Sequence, residues 1–309
     1  MIRKQIKTSS YPRISILMTI YNGSSYLHAS IESLLKQSFT NWELIAVNNG
    51  STDESLKIID SYQDKRIKVY KFKKNIGRIR ALRYAFNRSS AEFIAILDAD
   101  DIFCRQKLFQ QIKFMDKNPE IALVGTWAKY INQKDEFIGI FNPPDLQKKN
   151  QDYLGWTNPF PHSSVLFRSK LAKKVGGYPM NFMWGHDMAL FIKLAANYPI
   201  AIIDQYHCHI RLHDSNATAS SIHKLEINIE RHKLFEMACK NINLSNQAMQ
   251  LNRGAKAFSK IRIGFSHIYL GRIHNGFKFI INVLLSEILY LSYFILFKLT
   301  KRYILFKSK

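Results

Sequence analysis

Short apolar runs and helical stretches alternate through the first third of the chain, and that alternation limits the fold more than any compositional figure. Ile14 to Ile20, Trp42 to Val47, Ile67 to Phe72 and Phe93 to Leu97 read as strands, because each is apolar, rich in β-branched or aromatic residues and short. Between them, Ser24 to Gln37 carries Ile31, Leu34 and Leu35 on one helical face. Ser51-Thr52-Asp53-Glu54 has the form of a capping box, with Ser51 as N-cap of a helix running through Ile58 and Ile59. Gly77 to Phe86 reads as a third helix. Strands joined by helical crossovers pair in parallel and are covered on both faces. The expected class is α/β, with a mainly parallel central sheet of nucleotide-binding type, a fold that leaves the chemistry open.

The fourth run ends in Asp98-Ala99-Asp100-Asp101, which brings three carboxylates to one strand end. In open α/β sheets the carboxyl ends of strands are where ligands bind. Like charges so close repel unless a cation sits among them, and hard oxygen ligands suit Mg²⁺ or Mn²⁺ holding a substrate's phosphates. A solvated acidic turn capping the next helix is the plain alternative.

With 309 residues, 47% of them hydrophobic, the chain can bury a full core and is expected to hold one large domain plus an appendage. Cys104, Cys208 and Cys239 show no metal-ligand spacing and read as reduced thiols. The polar stretch Met1 to Pro12 lacks the apolar core of a signal peptide, so a cytoplasmic location is expected. The net charge of +22 calls for a polyanionic partner: nucleic acid, anionic lipid or a diphosphate. No base-stacking module accompanies the basic residues, which argues against nucleic acid.

Half the excess charge lies at the C-terminal end: from His223 to Lys309 there are 15 Lys and Arg against 4 Glu, or +11. This divides the chain into a body, 1–220, and a helical basic tail, 221–309, which shows no strand signals. Phe279 to Phe297 is apolar except for Glu287, and as one helix of roughly 28 Å it nearly matches a bilayer core. Basic clusters flank both ends, against the positive-inside tendency, and Lys278, Asn282, Ser286 and Tyr290 form a polar stripe. The expectation is a helix lying in the plane of an anionic membrane surface, on the inner face of the cell membrane. A spanning helix and a dimer interface are the alternatives. On this division the body should stand and bind its donor without the tail.

Several segments resemble, in order and spacing, the family 2 glycosyltransferases of GT-A fold. They are Ile16 to Asn22 (ILMTIYN), Ile31 to Gln37 (IESLLKQ), Trp42 to Asp53 (WELIAVNNGSTD), Asn75-Ile76-Gly77 and Leu97 to Asp101 (LDADD). The likeness continues through Asn158 to Tyr178, Trp184 to Leu190 (WGHDMAL) and Ile210 to Ala217 (IRLHDSNA), and covers about residues 12 to 220. The resemblance implies transfer of a sugar from a nucleoside diphosphate donor, UDP first, to a hydroxyl of a glycan or lipid-linked acceptor, with inversion. It also implies a divalent cation, Mn²⁺ or Mg²⁺, and a place in cell-surface polysaccharide assembly.

Residue by residue, the resemblance assigns the donor to Thr19, Tyr21, Asn22 and the Asn48-Asn49 pair. Asn48 stands where most relatives carry Asp, so the base is open. Asp98 is assigned to the ribose or a metal-bound water and Asp100 to the metal, while Asp101 is expected to cap the following helix. Arg211 and His213 match an R-x-H that holds the diphosphate, with His213 also counted among the metal ligands. Asp187 takes the place of the acidic base that an inverting displacement needs, although His186 stands where an acid is usual. Asp187 is equally well placed to cap the helix from Met188 to Ala196. His162 and Trp184 fall on the acceptor side, and Lys73, Lys74, Arg78, Arg80 and Arg83 crowd the third strand-to-helix loop. Acceptor choice is expected in Gln133 to Trp156. A nucleotidyltransferase would share the strand-end acids but would not need the R-x-H and H-D segments.

Overall fold

The computed structural model describes residues 11–143, 150–214, 216, 223–300 and 304–306. The first four strands, β1 (Ile14–Ile20), β2 (Trp42–Asn49), β3 (Ile67–Phe72) and β4 (Phe93–Ile96), lie parallel in the order β3-β2-β1-β4. β1 and β2 are buried almost throughout, as expected of parallel strands between two layers of helix. The intervening helices are α1 (Ser24–Leu35), α2 (Ser55–Asp60) and α3 (Arg78–Arg88).

Beyond β4 the sheet changes direction. After β5 (Ile102–Phe103) and α4 (Lys107–Lys117) come the hairpin strands β6 (Leu123–Ile131) and β7 (Phe137–Phe141), then β8 (Leu166–Arg168). β8 wedges antiparallel between β4 and β6, and after α5 (Ser169–Lys174) and α6 (His186–Ala195) the long β9 (Ile200–Arg211) runs parallel to β6. Among the described residues four strand pairings are parallel and five antiparallel. The sheet is therefore mixed, not mainly parallel. Its antiparallel half is built on hairpins and a three-residue strand that carry no crossover pattern.

The expected capping box does not form. Ser51 Oγ accepts from the Asn22 amide, and Asp53 accepts from the amides of Ser24 and Ser55. Glu54, whose side chain pairs with Lys57 and makes no capping bond, is the N-cap of α2. The segment ties the β2–α2 loop to the start of α1, a tertiary use that outcompetes the local cap. Burial works against the Asp53 charge, but those amide bonds outweigh it and take its pKa down to about 2.

The tail forms α7 (Lys224–Asn241), α8 (Asn246–Tyr269), α9 (Ile273–Ser286) and α10 (Ile288–Thr300), followed by β10 (Ile304–Phe306), which pairs antiparallel with β7. A strand in the tail and its return to the sheet were not expected. Phe279 to Phe297 is not one helix either, because α9 and α10 bend by 90° at Glu287. Glu287 reaches Lys260 on α8 at 2.6 Å, and Gly254 lets α10 approach α8 so closely that a Cβ would lie 2.3 Å from the Tyr290 carbonyl oxygen. The polar stripe is broken at that bend. No single helix among the described residues is long and apolar enough to cross a membrane. The basic residues Lys301, Arg302, Lys307 and Lys309 lie outside the described residues.

The tail packs on the body. Leu234, Phe235, Ala238, Leu251, Ala255 and Phe294 belong to the same buried cluster as the strands, and Trp156 packs edge-on against Phe294 and Phe297. A long apolar surface is left outside, with Phe277, Leu285, Leu289, Leu296 and Leu299 all exposed.

Candidate active site

The carboxyl ends of β1, β2 and β4 and the far end of β9 surround a cleft of about 1380 Å³. Thr19, Tyr21, Asn22, Asn49, Asp98, Asp100, His162, Trp184, Asp187, Arg211 and His213 all line it. Eleven of the residues singled out from sequence thus meet in one place. Asn48 does not line the cleft: it is 2% exposed, and its amide oxygen accepts from the Ser51 backbone. Asn49 is held from both sides, donating to Asn75 Oδ1 and accepting from the Ile76 amide. Asn22 adopts φ 51°, a left-handed conformation that asparagine tolerates, and its side chain accepts from Thr52 across the cleft floor.

The three strand-end acids have separate partners. Asp98 Oδ1 takes Arg78 at 3.0 Å, with His162 Nδ1 at 3.8 Å. Burial raises the Asp98 pKa, but the charge of Arg78 outweighs it and the net shift is downward. Asp101 is 5% exposed and accepts from Ser163 Oγ at 2.5 Å and from the Arg211 amide at 3.0 Å. It is followed by β5 and braces two distant segments, so it does not cap a helix. Burial and then the charges of Asp100 and Asp98 push its pKa well up. Asp100 Oδ2 receives His213 Nε2 at 3.0 Å and Asn216 Nδ2 at 3.2 Å, and burial and Asp98 raise its pKa as well.

Arg211 is 2% exposed and stands behind the acids. It donates to the carbonyls of Asp100 and Asn132, pairs with Asp135 at 2.6 Å and lies 4.6 Å over the Tyr26 ring. Arg211 and His213 therefore both converge on Asp100, one on its backbone and one on its carboxylate. Among the described residues no three His, Cys, Asp or Glu side chains are gathered as a metal site. The Asp100 and His213 pair nevertheless fits a divalent cation of the Mg²⁺ or Mn²⁺ kind, which takes one or two protein ligands and completes its shell with substrate phosphates and water. The upward pull on Asp100 marks a negative charge that such an ion would neutralise.

On the opposite wall, Asp187 is the second residue of α6, whose N-cap is Gly185, so Asp187 is not itself the cap. Its carboxylate accepts from Asn158 Nδ2 at 3.0 Å. His162 donates or accepts at Tyr178 through Nε2 (2.9 Å), and its ring stands 5.5 Å from that of His186. Burial drives both imidazoles down to about 4, so both are neutral at pH 7. His162 Nδ1 and His186 Nε2 are buried without a hydrogen-bond partner, as polar atoms awaiting a ligand would be. Trp184 packs against His223 with ring centroids 4.8 Å apart and planes tilted by 32°. Of the basic loop residues, Arg78 reaches the cleft, whereas Arg83 donates to the Tyr178 carbonyl.

Sequence reasoning missed three residues. Asn216 and Asn158 lay inside segments that were recognised, but nothing marked their amides as partners of Asp100 and Asp187. Glu230 carried no signal at all. From α7 it accepts the backbone amides of Met183, Trp184 and Gly185 at 2.8, 2.7 and 3.1 Å, and so clamps the loop that leads to Asp187.

Comparison with known proteins agrees with this geometry. Residues 15–176 match the model of glycosyl transferase family 2. An uncharacterized glycosyltransferase of Methanocaldococcus jannaschii is 31% identical over 222 residues, 70% of this chain and 76% of its own length. The O-antigen biosynthesis glycosyltransferase WbnJ of Escherichia coli is 31% identical over 190 residues, 60% of this chain and 73% of WbnJ. Among solved structures, S. aureus TarS with UDP-GlcNAc superposes with a TM-score of 0.60 at 16% identity, covering 87% of this chain and 90% of TarS. The mannosyltransferase PcManGT of Pyrobaculum calidifontis, with GDP-Man and Mn²⁺, gives 0.61 at 15% identity, over 96% of this chain and 83% of that one. Those two similarities concern the fold. By its family match and its curated relatives, this α/β chain with a GT-A-like mixed sheet belongs to glycosyltransferase family 2.

Proposed function

We propose that the chain moves a sugar from a nucleoside diphosphate donor to an acceptor hydroxyl with inversion at the anomeric carbon. The observation that carries this reading is the placement of Asp100, with His213 and Asn216 on its carboxylate, and of Asp187 on walls of the same cleft. Thr19, Tyr21 and Asn49 line the side where the nucleoside is assigned, and Asp98 and Asp100 the side of the diphosphate. Asp100 and His213 would hold a divalent cation, which would supply charge neutralisation for the diphosphate leaving group. Arg78 holds Asp98 in place, and Arg211 fixes the backbone of Asp100. Asp187, oriented by Asn158, takes the acceptor's proton as its oxygen attacks. UDP, carried by the UDP-GlcNAc of the TarS complex, is the first nucleotide to offer, and GDP, carried by the GDP-Man of the mannosyltransferase complex, the second.

The O-antigen role in the name of WbnJ supports a polysaccharide or lipid-linked glycan acceptor. The exposed apolar faces of α9 and α10, with the +11 of the tail, support attachment to the anionic inner face of the cell membrane, on the cytoplasmic side.

The test is a panel of nucleotide sugars screened for thermal stabilisation with Mn²⁺, since a ligand that binds only the folded state raises its apparent stability. Asp100→Asn should lose Mn²⁺-dependent stabilisation by the donor while keeping the fold. Asp187→Asn should keep donor affinity and lose transfer, because a base acts in the transition state. Undiminished turnover of Asp187→Asn at matched donor occupancy would move the base elsewhere.

A further inference from the structure

One buried cation ties down the hairpin between β6 and β7. The side chain of Arg211 is 1% exposed, and each of its guanidinium nitrogens already donates: Nε to the Asp100 carbonyl, Nη1 to the Asn132 carbonyl and Nη2 to Asp135 at 2.6 Å. Asp135 supplies the only carboxylate on that guanidinium among the described residues, although its own side chain is 62% exposed at the hairpin tip. A buried guanidinium without a counter-charge is costly, so this pair draws the tip toward the segment that carries Asp100. The tip is shaped for the contact. Asp135 adopts φ 66°, a left-handed conformation that aspartate tolerates, and Asn132 closes the turn by accepting from the amides of Lys134 and Glu136 and donating to the Glu136 carboxylate.

The latch brings Lys134 to the rim of the cleft that Asp100 and His213 line. Four Lys or Arg side chains line that cleft, namely Arg78, Lys134, Arg211 and Arg231. Arg78 is paired with Asp98, and Arg211 is locked as described. Arg231 follows Glu230 on α7, the helix that clamps the loop before Asp187, and so belongs to the opposite wall. At the Asp100 end, Lys134 is the cation whose side chain has no partner among the described residues.

We propose that Asp135, acting through Arg211, docks the hairpin tip so that the Lys134 ammonium meets the diphosphate of the nucleotide donor. Lys134 then takes the part that the R-x-H resemblance gives to Arg211, whose fork is buried and engaged. An ammonium on a flexible stem suits a leaving group whose negative charge grows as the sugar departs. Acceptor choice is expected in the segment from Gln133 to Trp156, but its first residues serve the donor on this assignment. The proposal rests on the transferase reading above and adds Lys134 and Asp135 to its diphosphate subsite.

The full-length protein with Mn²⁺ is titrated calorimetrically with UDP, GDP, uridine and guanosine. Lys134→Gln should weaken whichever nucleoside diphosphate wild type binds by about tenfold, the scale of one charged hydrogen bond partly open to solvent, and leave the matching nucleoside unchanged. Lys134→Arg should keep most of the affinity. Asp135→Asn should lose a similar amount and Asp135→Glu less, and the Lys134→Gln/Asp135→Asn double variant should be no weaker than the worse single one, since residues that act as a unit are not additive. Unaltered diphosphate affinity in Lys134→Gln would overturn the proposal, as would equal losses of nucleoside and nucleoside diphosphate. Additive losses in the double variant would refute the action of Asp135 through Lys134. Lys134 is exposed, so its substitution spares the core and decides even if Asp135→Asn fails to fold. Wild type that binds nucleoside diphosphates no better than nucleosides would defeat the transferase reading and this subsite with it, whereas a diphosphate preference that survives Lys134→Gln defeats the subsite alone.

Discussion

Glu230→Gln tests whether the C-terminal helices shape the catalytic loop. Glu230 Oε2 accepts from the amides of Trp184 and Gly185, and Oε1 from that of Met183. A glutamine retains one acceptor oxygen and turns an NH₂ toward the remaining amides, so either one or two of the three bonds are lost. Hydrogen bonds to a charged group contribute about 1.5–3 kcal/mol each when buried, and Glu230 is only half-buried, so about 2 kcal/mol in all is a fair discount. That strain falls on the loop two residues before Asp187, because Gly185 is already pressed so tightly on α7 that a Cβ would meet Leu234 at 2.3 Å. At about 1.4 kcal/mol per decade, 2 kcal/mol lowers the ordered fraction of a marginal loop by roughly thirtyfold. Transfer by Glu230→Gln should therefore fall about ten- to thirtyfold, chiefly in kcat, with donor-induced thermal stabilisation unchanged. The assay is steady-state transfer to a soluble acceptor beside a donor titration by thermal shift. Unchanged kcat with a lower Tm would make the clamp merely structural, and a parallel loss of donor affinity would place the damage outside the loop.

Two further outcomes follow from buried groups. Lys107 is fully buried, bonded to Gln111 at 2.8 Å and lying 4.0 Å from the Phe103 ring, and burial lowers its pKa from 10.5 to about 7. The unfolded chain then holds a proton between pH 7 and 10.5 that the folded chain lacks, so this lysine destabilises fully below about 7 and not at all above 10.5. Stability of wild type relative to Lys107→Met should rise with pH across that window by up to about 1.4 kcal/mol per pH unit, read from urea midpoints, and a flat difference would show that the amine stays charged when folded. Ending the chain after Ser221 should give an insoluble protein with no donor-induced stabilisation, because Leu234, Phe235, Leu251 and Phe294 leave the shared core. A soluble truncated chain that binds UDP would refute that shared core.

The parallel half of the fold was legible because its signals are local. β1 and β3 have the limits that their apolar runs suggested, and β2 and β4 differ by two residues and one. β8, three residues long between β4 and β6, is too short to carry a pattern, and with it went the mixed character of the sheet. The tail misled for another reason. Its hydropathy was read as one continuous helix, but the bend depends on Lys260 meeting Glu287 and on the close approach at Gly254, neither of which is visible in a run of apolar letters. The meeting of Asp100 with His213, 113 residues apart, could be anticipated only from the order of the recognised segments. Glu230, whose role depends on a loop 45 to 47 residues away, could not be anticipated at all.

The strand-end acids look alike in sequence, yet the fold gives each a different electrostatic task. Asp98 has a full counter-charge in Arg78, which holds it ionised against its burial. Asp101 has only neutral donors, Ser163 and the Arg211 amide, and sits deepest, so its pKa climbs furthest and it adds least to the negative charge of the cleft. Asp100 lies between these cases: it faces the cleft, is repelled by Asp98, and is met by an imidazole and an amide that carry no fixed positive charge. A cation entering the cleft gains most where negative charge is accessible and unmatched. Asp98 is already matched, and both oxygens of Asp101 are taken, by Ser163 and by the Arg211 amide. That leaves Asp100 as the ligand of the proposed cation, and Arg211, bonded to its backbone carbonyl, leaves the carboxylate itself open to the cleft.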